Sequence, residues 1–332
     1  MSRLRTAALI CAALLPLATS CSGSGGSASG TDTKAAGPGF PYTVTNCGVK
    51  TTYQAPPQRA VTLNQHATEV MLELGLAGSL AGTAYLDDKV LPKYAKAYKA
   101  IPVLAKEYPS KEKLLGANPD FVYGGYTSAF NAKEGTARDD LAESGIKTRL
   151  NTESCTSGRT SLDDLYREVT EVGRTFGVAD RARKWVREAR ATVAATARET
   201  KGAKGAEALK VFVYDSGDKT AFTAGGKGIG NEMIKRAGGT NIFADLDKSF
   251  TDASWEQVVT RRPEVIVIYD YGTTTVEQKK RRLLDDPALR DVPAIKHKRF
   301  AVMPLSDVVL GVRAPAAIEK LARQLHPEPA HK

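Results

Sequence analysis

Several residue types that build metal and catalytic centres are scarce in this chain of 332 residues. It has only 4 cysteines and 4 histidines, with no CxxC or HxxxH pair, so a zinc site is disfavoured. No GxSxG motif is present, and the glycine-rich run at 225–230 fits neither phosphate-binding pattern. Long apolar runs are missing apart from a short one near the N-terminus, which excludes a polytopic membrane protein. The apolar fraction of 42% is that of a globular protein, and the length predicts about two domains.

The N-terminus has the features of an export signal. Arg3 and Arg5 precede an apolar core at 7–17, which is too short to span a bilayer in the mature protein. Small residues then lead to Cys21, a pattern that resembles a bacterial lipobox, in which the cysteine is acylated. We expect a signal peptide at 1–20, lipidation of Cys21 and a flexible Ser/Gly-rich tether at 21–40. The alternative is an ordinary secretory signal that is cleaved near this point.

Export also affects how the net charge and the cysteines are interpreted. The net charge of +10 falls to +8 without residues 1–20, which hold two arginines and no acid. Outside the cell, nucleic acid is not an expected partner. Cys11 leaves with the signal and Cys21 would carry lipid, so Cys47 and Cys155 remain. In an oxidising compartment they predict a disulfide, with two separate buried thiols as the alternative.

A pattern of 13 residues occurs twice, as SKEKLLGANPDFV at 110–122 and as SWEQVVTRRPEVI at 254–266. In each copy a serine can cap a short helix, and a proline ends it. A glutamate, Glu112 or Glu256, lies in the first turn, where the helix dipole favours an acid. An apolar stretch that predicts a buried strand follows. The two copies therefore predict two lobes of similar build.

Strands and helices alternate around each copy, which predicts an α/β protein with largely parallel central sheets flanked by helices. Residues 161–200 contain no proline and have helical apolar spacing, so we expect helices at 161–176 and 179–200. The first of these would join the lobes rigidly. The expected organisation is an N-terminal lobe at 41–160, connecting helices at 161–200, a C-terminal lobe at 201–312, and a final helix and tail at 313–332.

Together these features resemble the class III solute-binding proteins of bacterial ABC importers, the group that carries ferric siderophores, haem and cobalamin. The matching stretches lie at 59–85 (RAVTLNQHATEVMLELGLAGSLAGTAY), 101–124 (IPVLAKEYPSKEKLLGANPDFVYG), 225–246 (GGKGIGNEMIKRAGGTNIFADL), 254–268 (SWEQVVTRRPEVIVI) and 310–325 (LGVRAPAAIEKLARQL). The resemblance implies a receptor, not an enzyme, that captures a bulky chelate between its lobes and delivers it to a permease. It also implies that Glu112 and Glu256 dock onto arginines of the two permease subunits. The alternative is that each glutamate only supports its helix dipole.

Ligands of α/β lobes lie beyond the carboxyl ends of the parallel strands, and this rule selects a set of loop residues. Aromatic side chains there offer flat apolar walls with polar tips for a large ligand. The candidate ligand-binding residues are Asn64, Gln65, His66, Tyr85, Tyr126, Phe130, Asp215, Lys227, Trp255, Tyr269, Tyr271 and Arg313. Any one tyrosine could instead be an ordinary half-buried residue, and Arg313 could pair with a nearby acid.

Tyrosine and amide groups outnumber cations among these residues, which favours an iron–hydroxamate siderophore over a trianionic catecholate. Haem and cobalamin are the alternatives within the class. His66 could ligate haem iron, hydrogen-bond a siderophore, or cap the helix that begins near Thr68. No resident metal or cofactor is expected. The ligand would be an Fe(III)–siderophore chelate.

The resemblance and the lipobox together predict a location. We expect a monomer that is anchored by lipid to the outer face of the cytoplasmic membrane, with ABC permease subunits as its partners. Two other classes compete with this reading. One is an extracellular enzyme on a related two-lobed fold, and the other is an adhesion or sensory lipoprotein.

Overall fold

The computed structural model describes residues 38–155, 157–202 and 208–327, which belong to one compact unit. The expected signal peptide, Cys21 and most of the expected tether lie outside these residues. Two parallel sheets flanked by helices form two lobes, so the predicted fold class is confirmed. In the described part of the chain, no helix is long and apolar enough to cross a membrane.

The first lobe contains a hairpin, a parallel sheet and four helices. Its strands are β1 Tyr42–Asn46, β2 Val49–Tyr53, β3 Ala60–Leu63, β4 Leu80–Ala84, β5 Val103–Ala105, β6 Phe121–Gly124 and β7 Lys147–Leu150. Its helices are α1 Gln65–Glu73, α2 Ala95–Lys99, α3 Lys111–Gly116 and α4 Arg138–Glu143. Strands β1 and β2 pair antiparallel, and the parallel sheet has the order β5-β4-β3-β6-β7. The central strand β3 is buried along its whole length, as expected for a parallel sheet covered on both faces.

Two antiparallel helices, α5 Leu162–Thr175 and α6 Ala179–Gly202, follow the first lobe where the sequence predicts them. The hydroxyl of Ser161 accepts a hydrogen bond from the amide of Asp164 and caps α5. The sequence predicts that the first of these helices joins the lobes, and the second helix also contacts both of them. Near the start of α6, Arg181 donates to the carbonyl of Leu74 in the first lobe, and the rest of this 24-residue helix packs along the last helix of the chain.

The second lobe repeats the architecture with a smaller sheet. Its strands are β8 Leu209–Tyr214, β9 Ala221–Ala224, β10 Gly239–Asn241, β11 Phe250–Ala253, β12 Val265–Asp270 and β13 Phe300–Pro304. Its helices are α7 Ile229–Arg236, α8 Trp255–Arg261, α9 Val276–Leu284, α10 Pro293–Lys296 and α11 Ala314–Leu325. The parallel sheet has the order β10-β8-β12-β13, and β9 pairs with β11 in a short antiparallel ribbon.

The two copies of the sequence repeat fold alike. In the first, the Ser110 hydroxyl accepts the amide hydrogen of Lys113 at 3.3 Å and caps α3 before β6. In the second, the Ser254 hydroxyl accepts the amide hydrogen of Gln257 at 3.3 Å and caps α8 before β12. Both helices end before the proline, and the residue just ahead of it has a positive φ (46° and 50°). The repeat therefore encodes the same helix–turn–strand unit in each lobe.

One apolar cluster extends through both lobes by way of α5 and α6. It joins side chains of α1, such as Met71, to side chains of β12 and α11, such as Val267 and Ile318. Two smaller clusters cover the outer faces of the two sheets. A shared apolar core opposes wide separation of the lobes, because opening would expose that surface to water.

Candidate functional site

The carboxyl ends of the two parallel sheets meet at a cleft between the lobes. In the first lobe, Asn64 follows β3, Tyr85 follows β4 and Tyr126 comes two residues after β6. In the second lobe, Asp215 follows β8 and Tyr271 follows β12. The general rule for ligand sites in α/β sheets therefore selects this cleft.

A cavity of about 170 Å³ lies in the cleft and has walls from both lobes. It is lined by His66, Gly125, Tyr126, Asn151, Glu153, Ser154, Ser249, Phe250, Leu305, Val308 and Val309. Most of this lining is apolar. Ligand sites for drug-sized molecules usually measure roughly 300–1,000 Å³. A bulky chelate therefore enters only if the lobes or the loops around the cavity move apart.

His66 and Tyr126 are the two sequence-predicted residues that line the cavity directly. Their rings meet edge-on, with centroids 4.9 Å apart. Burial lowers the pKa of His66 below its ordinary value, so the imidazole is neutral at neutral pH. Gly125 makes room for the ring, because a Cβ at this position would lie 2.4 Å from His66 Cε1. The absence of a side chain at residue 125 thus leaves the space that the imidazole of His66 occupies.

A polar corner surrounds Asn64 at the end of β3. This residue is fully buried, and its φ of 81° and ψ of 151° lie in a region of backbone conformation that few residues other than glycine adopt. Its Oδ1 accepts a hydrogen bond from the Tyr108 hydroxyl at 3.0 Å, but its Nδ2 has no partner. Such an orphan donor costs about 1–3 kcal/mol. Beside it, Asp87 accepts the amide hydrogen of Gln65 at 3.3 Å, and burial raises the pKa of the Asp87 carboxyl.

The second lobe contributes a hydrogen-bonded pair, Asp215 and Tyr271. The Tyr271 hydroxyl donates to Asp215 Oδ1 at 2.5 Å. Burial raises the pKa of both groups, and the carboxylate further raises that of the phenol. Nearby, Lys279 donates to the carbonyl oxygen of Tyr269 at 2.6 Å and lies 4.9 Å from the centre of the Tyr271 ring. The ammonium group is thus already bound by the protein.

A buried ion pair joins the lobes at one side of the cleft. The guanidinium of Arg313, at the start of α11, contacts both carboxylate oxygens of Glu69 in α1 at 2.6 Å. It also donates to the carbonyl of Lys89 at 2.6 Å and to Asp307 at 3.3 Å. Arg313 therefore has the structural role that the sequence left open, and its charge is neutralised before any ligand arrives.

A second set of bonds between the lobes comes from the turn after β7. Glu153 accepts the amide hydrogens of Ile229 and Leu310, at 2.8 and 3.0 Å. Asn151 donates its Nδ2 to the carbonyl of Leu310 at 3.0 Å. The same turn ends at Cys155, which forms a disulfide with Cys47 in the β1–β2 turn, with Cα atoms 5.3 Å apart. The disulfide thus ties the turn that carries Glu153 to the edge of the first lobe.

Several predicted ligand contacts lie away from the cavity. Tyr269 is only 1% exposed, packs in the apolar core and does not line the cavity. Trp255, in α8, packs on Phe212 and donates its indole hydrogen to the carbonyl of Asp218. Neither side chain lines the cavity, because a position near a strand end does not settle where the side chain points.

The other predicted contacts lie at or near the rim of the cleft. Gln65 is buried; its side chain donates to the carbonyl of Lys89 and accepts the amide hydrogen of Asp88. Tyr85 packs against Tyr108, with centroids 4.6 Å apart. Phe130 is half-buried, and Arg138 lies over its ring. Lys227 forms an ion pair with Asp247 at 3.1 Å.

The two glutamates of the repeat are exposed on the surface. Glu112 lies in the first turn of α3 and Glu256 in the first turn of α8, one on each lobe. Hydrogen bonds from its own amide and from Ser110 lower the pKa of Glu112. Both carboxylates are therefore available to a cationic partner.

Some residues at the cleft were missed by the sequence reasoning. Glu153 and Asn151 follow β7, and Leu305 follows β13, so the strand-end rule selects them when it is applied to every strand. Glu69 and Asp87 had no comparable signal. Phe250 lies in the antiparallel ribbon, to which the rule does not apply. Among the described residues, no group of three or more His, Cys, Asp or Glu side chains could hold a metal ion.

Comparisons with known proteins agree with this geometry. The model of the family "Periplasmic binding protein" matches residues 61–306. The chain is 27% identical to a vitamin B12-binding protein of Vibrio campbellii, over 64% of this chain and 70% of the relative. It is 29% identical to a cobalamin-binding protein of Halobacterium salinarum, over 65% of this chain and 55% of that relative.

Solved structures of binding proteins also superpose on this chain. A periplasmic binding protein from Veillonella parvula superposes with a TM-score of 0.78 and 30% identity, over 86% of this chain and 97% of that one. A protein of an ABC-type Fe3+-hydroxamate transport system from Saccharomonospora viridis superposes with a TM-score of 0.72 and 25% identity. The superposition covers 86% of this chain and 99% of that one. These relatives are binding proteins, and one of them belongs to a transport system; they are not enzymes. The chain belongs to the periplasmic binding protein family and is an extracytoplasmic substrate-binding protein of an ABC importer.

Proposed function

We propose that the protein captures a large metal chelate with no net negative charge in the cleft between its lobes and delivers it to an ABC permease. A corrinoid is the first candidate and a ferric hydroxamate siderophore is the second. The observation that carries the proposal is the chemistry of the cleft, which combines aromatic and aliphatic walls with three nearby cations that are already bound within the protein.

Three cations near the cleft could otherwise bind an anionic ligand. Arg313 is held by Glu69, Lys227 by Asp247, and Lys279 by the carbonyl of Tyr269. A trianionic catecholate or the two propionates of haem would need free cations to replace lost hydration. A neutral corrinoid or hydroxamate chelate has no such requirement and gains from the apolar walls formed by Tyr126, Phe250 and their neighbours.

The order of the two candidates differs from the one that the loop residues alone favour. Tyrosine and amide groups at the strand ends favour a hydroxamate. The curated relatives named above bind vitamin B12 or cobalamin, which supports a corrinoid, whereas the Saccharomonospora viridis structure supports a hydroxamate. We therefore rank the corrinoid first and keep the hydroxamate as the alternative.

Haem is a further candidate because of His66. Its neutral imidazole lies at the cavity beside Tyr126, and a neutral imidazole is a good ligand for iron. Haem binding that is lost on His66→Ala and kept on Tyr85→Phe would move the proposal to haem uptake. Without that result, the paired cations favour a ligand without carboxylates.

Delivery would use the exposed glutamates of the repeat. Glu112 and Glu256 lie on different lobes, so together they can orient the protein on two permease subunits that present arginines. With the permease in proteoliposomes, Glu112→Ala and Glu256→Ala are expected to abolish most of the stimulation of ATP hydrolysis while leaving chelate affinity unchanged. Glu143→Ala, an exposed acid on α4, is the matched control. Equal stimulation by all three variants would reject the docking role.

The anchor and the oligomeric state are also part of the proposal. Acylation of Cys21 would hold the protein at the outer face of the cytoplasmic membrane as a monomer. Cys21→Ser should release the chain from membranes of the expressing cells, and light scattering should give the mass of one chain. Retention of the Cys21→Ser protein on membranes would contradict the anchor.

The ligand is tested by titration of the chain from residue 21, with Cys21→Ser, with five chelates. These are cyanocobalamin, a ferrioxamine, a second ferric hydroxamate, a ferric catecholate and haem. Calorimetry should give submicromolar binding of cyanocobalamin or of a hydroxamate, and binding at least about a hundredfold weaker for the catecholate. Tighter binding of the catecholate than of all the others would contradict the proposed ligand class.

A further inference from the structure

Asn64 and Asp87 lie side by side at the cleft end of the first lobe, after the neighbouring strands β3 and β4. The amide of Gln65, next to Asn64, donates to Asp87 Oδ2 at 3.3 Å and links the two. Tyr108 joins the group through its hydrogen bond to Asn64 Oδ1 at 3.0 Å. The Nδ2 donor of Asn64 is buried without a partner. The corner therefore holds one unused donor, Asn64 Nδ2, and one acceptor, the Asp87 carboxylate that is hydrogen-bonded to the amide of the next residue.

A donor beside an acceptor matches a primary or secondary carboxamide, which carries a carbonyl oxygen and an N–H group. We propose that Asn64 and Asp87 bind a peripheral carboxamide of the ligand, with Asn64 Nδ2 donating a hydrogen bond to its carbonyl oxygen and Asp87 accepting one from its N–H group. This inference rests on the proposed function and names the chemical feature by which the cleft selects its chelate. The half-buried ring of Tyr108 covers this corner through its hydrogen bond to Asn64, and it must move for a ligand to reach Asn64.

The charges around the corner oppose a carboxylate in the same place. Asp87 and Glu153 act on the hydroxyl of Tyr126, and both raise its pKa in addition to the effect of burial. The phenols Tyr108 and Tyr271 are the next groups that act on it, and no cation is among these causes. His66 is the basic group that acts on Asp87, and burial keeps its imidazole neutral. A ligand carboxylate would therefore meet the negative charge of Asp87 with no cation beside it, whereas an amide brings no charge of its own. The corner thus distinguishes an amide from an acid of nearly the same shape.

The backbone of Asn64 is strained. Its φ of 81° and ψ of 151° lie in a region that glycine adopts freely and asparagine only at a cost of about 1–3 kcal/mol. Compared with glycine, asparagine brings an N–H donor. Asn64→Gly therefore removes the donor with little strain, and Asn64→Asp replaces it by an acceptor while keeping an oxygen for Tyr108. Asp87→Asn removes the negative charge.

The test compares cyanocobalamin with a derivative in which one peripheral carboxamide is hydrolysed to a carboxylate, and a ferrioxamine with haem. Wild type is expected to bind cyanocobalamin about tenfold more tightly than at least one such monocarboxylate. Asn64→Gly and Asn64→Asp should weaken cyanocobalamin about tenfold. Asp87→Asn should reduce the preference for the amide to less than about threefold.

Glu143→Gln, an exposed acid on α4 of the same lobe, should behave as wild type. Circular dichroism and thermal midpoints establish that each variant is folded.

The outcomes separate the two proposals. Binding of cyanocobalamin or ferrioxamine that is unchanged in both Asn64 variants and in Asp87→Asn would overturn the carboxamide-reading corner and leave the transport function standing. Tighter binding of haem or of every monocarboxylate by wild type would also overturn it. Failure of wild type to bind any of these chelates would overturn the proposed function, and the corner with it.

Discussion

Arg313 and Glu69 form a buried bidentate ion pair that joins the two lobes, although 244 residues separate them in the sequence. Two parallel N–H···O contacts of 2.6 Å fix the orientation of both side chains. The pair places the start of α11 on α1, directly beside His66. Its position means that the geometry of the cleft depends on a contact between the lobes, not on either lobe alone.

Removal of one partner should be costly because the other is left as an uncompensated buried charge. Glu69→Gln is expected to lower the free energy of unfolding by about 3–5 kcal/mol. The double variant Glu69→Leu with Arg313→Met should recover most of this loss. Glu319→Gln, which removes an exposed partner of Arg323, should change stability by less than about 1 kcal/mol. Urea unfolding at pH 7 measures all three, and a loss below about 1 kcal/mol for Glu69→Gln would contradict the buried pair.

Gly125→Ala should move the His66 ring. The new Cβ would lie 2.4 Å from His66 Cε1 and 2.7 Å from Asn64 Cβ, distances that require a shift. We expect about tenfold weaker chelate binding, because the wall of the cavity is displaced. Gly78→Ala is the control, since a Cβ there has nothing within 4 Å. Affinities measured by calorimetry that are equal for both variants would show that the His66 position does not matter for binding.

Loss of the disulfide should weaken the protein and loosen the turn that carries Glu153. The Cys47–Cys155 bond closes a sequence separation of 108 residues. The chain-entropy model gives about 4–5 kcal/mol for such a loop. Cys47→Ser with Cys155→Ser should show this loss in urea unfolding, together with faster hydrogen exchange at 151–155. A chemical thiol count of two in the oxidised wild-type domain from residue 39 onward would contradict the bond.

Stability should depend on pH through Glu168. Burial alone would raise the pKa of this carboxyl, but the Arg149 guanidinium, 2.7 Å away, and hydrogen bonds from Thr152 and Tyr123 lower it below its ordinary value. A lowered folded-state pKa gives stability that is present above the unfolded-state value of about 4.3 and is lost as pH falls through the folded-state pKa. Glu168→Gln should therefore be less stable than wild type at pH 7, with a difference that shrinks in acid. Urea unfolding from pH 7 to pH 3 measures this difference, and a constant difference would contradict the assignment.

Much of the fold could be predicted because its signals are local. Apolar runs predicted β3, β7 and β8 to within a residue, and helical spacing with caps predicted α5 and α11. The duplicated serine–glutamate–proline pattern predicted a unit that occurs in both lobes. The hairpin β1–β2 and the ribbon β9–β11 were not predicted, since their short strands have mixed exposure and weak alternation.

The site was less predictable than the fold. The strand-end rule found His66 and Tyr126, but it also selected Tyr269, which points into the core. The roles of Glu69 and Glu153 depend on partners more than 70 residues away in the sequence. Contacts of this kind arise only when the two lobes come together, so no local pattern encodes them.

Calorimetric titration with cyanocobalamin tests the central claim most directly. The same titration of Tyr126→Ala and Trp255→Ala locates the site, because Tyr126 lines the cavity and Trp255 does not. We predict submicromolar binding by wild type, at least about tenfold weaker binding by Tyr126→Ala, and unchanged binding by Trp255→Ala. Binding that is lost in Trp255→Ala and kept in Tyr126→Ala would contradict the account and move the site out of the cleft.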